Sequence, residues 1–226
     1  MVCARARKAD GRTAGDPSGW TLIRNYIQEL QVIQSIFLKR RCIVFAGAML
    51  AWLAGPAAMA ASLPLTELAK PGRVLMLRHA LAPGVGDPAN FRLGDCSKQR
   101  NLDAAGRRQA VDLGRRLAQA GISSARVYSS QWCRTLETAR LLELGAVTEL
   151  PALNSFFELA ESRESNIAAL RRFLARLPAD GPPVVLVTHQ VTITAITGAY
   201  ASSGGGVILQ VDGSLTPRVV GEVSAN

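Results

Sequence analysis

Val74-Leu75-Met76-Leu77-Arg78-His79 and Val184-Val185-Leu186-Val187-Thr188-His189 are the stretches that decide how this chain folds. Each opens with an apolar run too short for a free-standing helix but long enough for a buried strand. A third run, Val127-Tyr128 with its neighbours, reads the same way. Helical patterns separate the three, and strands that alternate with helices imply a parallel sheet.

The first helix is expected to be capped by Asp103. It places Ala110, Leu113, Leu117 and Ala118 on one face, and Arg107, Arg108, Arg115 and Arg116 largely on a solvated one. A second should run from about Trp132 to Leu144. A third should run from about Ser165 to Leu177, closed by Pro178 and Gly181. Near the end, Val207 to Val211 and Pro217 to Val220 flank Asp212-Gly213, which reads as a hairpin turn. Residues 79–103, with Pro83-Gly84-Val85-Gly86-Asp87-Pro88, form too long a connection to be idle. They are expected to cover or shape a site, the plain alternative being a disordered surface excursion.

The length of 226 residues suits one domain, and the formal charge of +9 invites a nucleic-acid reading. Residues 1–61 hold eight Lys or Arg against three Asp or Glu, leaving eighteen against fourteen for the rest. The body is therefore only mildly basic, and a targeting segment explains the excess better than a nucleic acid does.

Residues 1–61 read as a leader and export signal. Lys39-Arg40-Arg41 precedes an apolar run from Cys42 to Leu53, and Ala58-Met59-Ala60 offers small residues for signal cleavage after Ala60. The run is short for a membrane span and Gly55-Pro56 interrupts it, so no stable membrane anchor is expected. No Cys follows Leu53-Ala54-Gly55, so lipid attachment is not expected. Because a signal normally has only a few residues before its basic cluster, translation is expected to begin nearer Ile36 to Leu38. A true leader with an amphipathic helix over Trp20 to Phe37 is the alternative. The mature protein, with residues 62–226 as its catalytic domain, would be periplasmic or secreted. It would keep only Cys96 and Cys133, which an oxidising compartment would allow to bond; two inert buried thiols are the alternative.

The chain has only two histidines, His79 and His189, each just beyond a predicted strand. The carboxyl ends of parallel strands form the crevice where ligands bind, so the two could face one another. The third strand leads into Ser129-Ser130-Gln131-Trp132-Cys133-Arg134-Thr135-Leu136-Glu137-Thr138-Ala139, putting Arg134 in the first turn of a helix. A cation there opposes the helix dipole unless an anion shares the site. A solvated arginine on an exposed turn is the bland reading.

Leu77-Arg78-His79-Ala80, the Ser129 to Ala139 segment and Val187-Thr188-His189 together resemble the histidine phosphatase superfamily, branch 1, over residues 72 to 221. The resemblance implies the phosphoglycerate mutase-like fold, a three-layer α/β/α sandwich with a mostly parallel central sheet. It implies that neutral His79 attacks phosphorus in line and that Arg78, Arg134 and His189 bind the equatorial oxygens, with no metal and no cofactor. Arginine forks match phosphate geometry, and nearby arginines should also disfavour the imidazolium form of His79. Arg100 is a further candidate phosphate contact, with a loop salt bridge as the alternative. Glu158, after Phe156-Phe157, is the preferred general acid because apolar surroundings would raise its pKa; Glu161 is the other candidate. Ala80 and Gln190 stand where the family often has glycine. Ala80 is compatible if its φ is negative, and Gln190 would narrow the pocket or touch substrate.

The function expected is hydrolysis of a small phosphorylated substrate. Alternatives are a phosphohistidine-protein phosphatase, a lipopolysaccharide-sugar phosphatase, and a phosphate- or polyanion-binding module without turnover. A mutase shares the chemistry, but export argues against it.

Overall fold

The computed structural model describes residues 62–225. The expected leader, export signal and cleavage point lie outside the described residues. Among the described residues, no helix is long and apolar enough to cross a membrane.

Six strands form one sheet: β1 Arg73–Arg78, β2 Arg126–Ser129, β3 Val147–Glu149, β4 Val184–Thr188, β5 Gly206–Gln210 and β6 Arg218–Val223. Their order is β3-β2-β4-β1-β5-β6. The pairs β1 with β4, β2 with β4 and β2 with β3 are parallel, while β5 pairs antiparallel with β1 and β6 with β5. The helices are α1 Ala104–Gln119, α2 Cys133–Leu141, α3 Arg163–Ala175 and α4 Gln190–Thr197.

Side chains alternate across a strand, and here both faces are covered, which is why the central runs are apolar throughout. Leu75, Leu77, Val185 and Val187 pack with Leu113 and Leu117 of α1. Val74, Met76, Val184 and Leu186 pack on the other side with Leu170 and Leu174 of α3 and Ile193 of α4. The result is the expected three-layer α/β/α sandwich.

Asp103 caps α1 as expected, its carboxylate accepting from the Gly106 amide at 2.7 Å. Gly106 is required for packing, since a Cβ there would stand 2.0 Å from the Leu81 carbonyl oxygen. The start of α1 thus presses on the backbone two residues past His79. Helix α2 stops at Leu141, short of Leu144, because Glu143 adopts φ +55° and Gly145 φ +138°, which no helix continues. Helix α3 begins at Arg163, two residues earlier than expected, and its partner α4 was not expected at all. The Val191-Thr192-Ile193-Thr194 stretch is β-branched and favours strand, yet tertiary packing holds it helical until Gly198, at φ +74°, ends it. The short, mostly exposed edge strand β3 was also missed. The Asp212-Gly213 turn forms, with Asp212 accepting from the Ser214 amide at 3.0 Å, but not as a two-residue hairpin. Gln210 pairs with Arg218, and Pro217, which has no N–H to pair, lies in the connection.

Candidate active site

His79 and His189 meet because β1 and β4 are parallel neighbours, with Arg78 in register with Thr188. The next residue of each strand therefore lands beside the other. Their ring centroids are 5.6 Å apart at 66°, and each residue is only 3% exposed.

Nδ1 of His79 lies 2.8 Å from the Ala80 carbonyl oxygen. A carbonyl only accepts, so the ring hydrogen sits on Nδ1 and Nε2 carries the free lone pair. Burial pushes the His79 pKa down to about 3; the Ala80 bond opposes this, and Arg134, Arg100 and Arg78 add to it. The arginines thus act in the expected direction, but burial is the larger cause. His189 is likewise held well below its ordinary value, by burial first and then by Arg134 and His79. Its Nε2 is 2.8 Å from the Ser130 hydroxyl.

The Ser129 to Ala139 segment uses most of its residues to fix this geometry. Ser130 meets His189. Thr135 Oγ1 donates to the Ser130 and Trp132 carbonyls, at 2.9 and 2.7 Å, holding the first turn of α2. Thr138 Oγ1 accepts from the Ala80 amide at 3.0 Å and donates to the Arg134 carbonyl at 2.7 Å, tying the segment after the nucleophile to α2. Glu137 pairs with Arg107 of α1 at 2.6 Å.

Arg78, His79, Arg100, Arg134, Glu158 and His189 all line one cavity of about 540 Å³. Glu161 does not line it. Arg134 is buried, and its Nη1 donates to both oxygens of Asp87, at 2.8 and 3.1 Å. Asp87 also accepts from Trp132 Nε1 at 3.0 Å and from the Arg100 amide at 2.9 Å. Burial works against the Asp87 charge, but these partners, Arg134 foremost, hold its pKa below the usual carboxylate value. Asp87 was not singled out from sequence, because nothing local marks it among the other polar loop residues. It answers the puzzle of a cation at a helix start with an anion from the chain itself.

The guanidinium of Arg100 donates from Nε to the Gly86 carbonyl at 2.7 Å and from Nη1 to the Ala82 carbonyl. It therefore braces the long loop while lining the cavity. Arg78 Nη1 donates to the Ala201 carbonyl at 3.0 Å and to the Tyr200 hydroxyl at 3.3 Å. Gln190 supports that contact, its Oε1 accepting from the Ala201 amide at 2.9 Å. It lines the cavity as well. Ala80 has negative φ, since Glu143 is the one described non-glycine residue with positive φ.

Glu158 is exposed, with its carboxylate 3.4 Å from the Asp87 amide. The apolar enclosure expected around it is absent, because Phe156 turns into the core while Phe157 and Glu158 face outward. Cys96 and Cys133 form a disulfide with Cα atoms 5.7 Å apart. It joins the long loop to the residue before Arg134.

Residues 74–159 match the family model for the histidine phosphatase superfamily (branch 1). The search of curated proteins finds no match. Among solved structures, the protein histidine phosphatase SixA complexed with tungstate is 17% identical, with 68% of this chain and 97% of that one covered at a TM-score of 0.50. Mycobacterial hydrolase 2 is 20% identical, with 68% and 91% covered at a TM-score of 0.50. These two share the fold. Over residues 74–159 the chain is thus similar to the histidine phosphatase superfamily, and it shares the fold of these two structures.

Proposed function

We propose that this protein hydrolyses phosphomonoesters through a phosphohistidine on Nε2 of His79. The observation that carries the reading is the Nδ1 contact with the Ala80 carbonyl, which leaves Nε2 unprotonated beside three arginines. A neutral, fixed imidazole is what a nucleophile requires, whereas a phosphate-binding module gains nothing from it.

In the first step Nε2 bonds to phosphorus as the bond from phosphorus to the ester oxygen breaks, and the departing oxygen takes a proton. Glu158, in the cavity wall, is our candidate donor. Arg78, Arg134, Arg100 and His189 face the charge that spreads over the phosphoryl oxygens. The Nε–H groups of Arg78 and Arg134 are buried without a protein acceptor and suit those oxygens. With the Ser130 hydroxyl donating to Nε2 of His189, Nδ1 of that ring carries the hydrogen it would give the phosphoryl group. In the second step water attacks phosphorus, its proton passes to the carboxylate, and the bond to Nε2 breaks. Inorganic phosphate leaves and His79 is restored.

We further propose that the protein works outside the cytoplasm after cleavage following Ala60. The Cys96 to Cys133 disulfide supports this, because such bonds persist in oxidising compartments. Finding the mature amino terminus at Ala61 in a periplasmic or secreted fraction is expected; an unprocessed cytosolic protein would contradict it.

The activity is tested by hydrolysis of p-nitrophenyl phosphate, with and without chelator, beside His79→Ala. Chelator-resistant turnover lost in the variant is expected. Turnover that survives in His79→Ala would overturn the mechanism, and no turnover in the parent protein would favour the binding module.

A further inference from the structure

The cavity extends well beyond the volume of a phosphoryl group, and its lining combines a basic set with an apolar one. The cations lining it are Arg78, Arg100 and Arg134, all neighbours of the histidine pair. The other charged lining side chains are Asp87, which pairs with Arg134, and Glu158, whose carboxylate lies 3.4 Å from the Asp87 amide.

Much of the wall besides these groups is apolar, with Ser155 and Gln190 among the polar side chains in it. Of the large hydrophobic side chains exposed on the described residues, Val85, Phe157, Leu159 and Tyr200 line this one cavity, with Val85 86% and Phe157 59% exposed. Scattered surface hydrophobics need no explanation, but a cluster at the mouth of a site marks what the site receives. The four come from three separate segments: the long loop, the stretch before α3, and the residues after α4. Local sequence bias in one segment does not account for them.

From this distribution we infer the substrate class: a phosphomonoester of an uncharged, mainly apolar alcohol, whose carbon skeleton lies along Phe157, Leu159, Val85 and Tyr200. This rests on the phosphatase reading above. A second anionic group on the alcohol would find no lining cation beyond the three arginines of the phosphoryl cradle. A polyhydroxylated alcohol would leave its hydroxyls against apolar carbon, losing the hydrogen bonds they make with water.

The test compares kcat/KM of the full-length protein for hexyl phosphate, ethyl phosphate and 3-phosphoglycerate, whose alcohol oxygens have similar intrinsic reactivity. Each fully buried methylene is worth about a factor of four, and a partly open wall gives less. Hexyl phosphate is expected to exceed ethyl phosphate by about tenfold, with 3-phosphoglycerate below both. Phe157→Ser is expected to shrink the ratio of hexyl to ethyl phosphate at least severalfold. Equal rates for the two alkyl esters, a preference for 3-phosphoglycerate, or a ratio unchanged by Phe157→Ser would overturn the substrate class. If that happens while p-nitrophenyl phosphate is still hydrolysed through His79, the phosphatase reading stands alone. Absence of any turnover would overturn both.

Discussion

The Asp87 carboxylate holds Arg134 by one nitrogen, Nη1, with oxygens at 2.8 and 3.1 Å, in a pair whose side chains are 7% and 4% exposed respectively. Both charges have left water, so removing either strands the other. Breaking a pair of this kind costs about 3–5 kcal/mol.

Asp87→Ala should therefore lower stability in chemical denaturation by about 3 kcal/mol or more. Asp87→Asn, whose one amide oxygen can still accept from either Trp132 or the Arg100 amide, should lose less. Both should gain more thermal stability from added inorganic phosphate than the parent does, because an anion that binds the folded state restores the missing charge. An equal gain in parent and variants would show that Arg134 does not meet the anion.

Acid should destabilise the protein before its carboxylates titrate. The folded pKa of His79, about 3, lies below its ordinary 6.5, so between those values the unfolded chain binds more protons. The stabilising contribution is complete above about pH 6.5 and is lost, at up to about 1.4 kcal/mol per pH unit, as pH falls toward 3. His189 acts in the same direction. With only two histidines in the chain, denaturation midpoints between pH 7 and 5 report on this pair. The slope should diminish in His79→Asn; an unchanged slope would mean that His79 is not held neutral by the fold.

The disulfide closes a loop with a sequence separation of 37, and cross-links of that span contribute about 3–4 kcal/mol. Cys96→Ser with Cys133→Ser should lower stability by that order. It should also reduce kcat/KM, because the long loop carries Asp87 and Arg100 into the site. Loss of stability with unaltered kcat/KM would show that the loop is held without the bond.

Arg78, His79, Arg134 and His189 were legible in the sequence because strand ends and a helix start are local features, and the sheet order then fixes where they meet. The layer arrangement followed from the same apolar runs. Asp87 and Gln190 were not legible as supports. Asp87 reaches Arg134 from far along the chain, and Gln190 acts on a backbone amide that α4 and its following turn present. The environment of Glu158 was misread because Phe156 and Phe157 point in opposite directions, which depends on how the segment after β3 lies on the core. Helix α4 was missed because its β-branched residues favour strand locally while packing against α3 and β1 favours helix.

The central claim is that phosphorus becomes bonded to His79, and rapid quench of the full-length protein with a phosphorus-labelled ester tests it most directly. The account predicts a labelled protein that is stable to alkali and labile to acid, with the label mapped to His79 and absent from His79→Ala. Turnover without label on the protein, or label on any other residue, would contradict it.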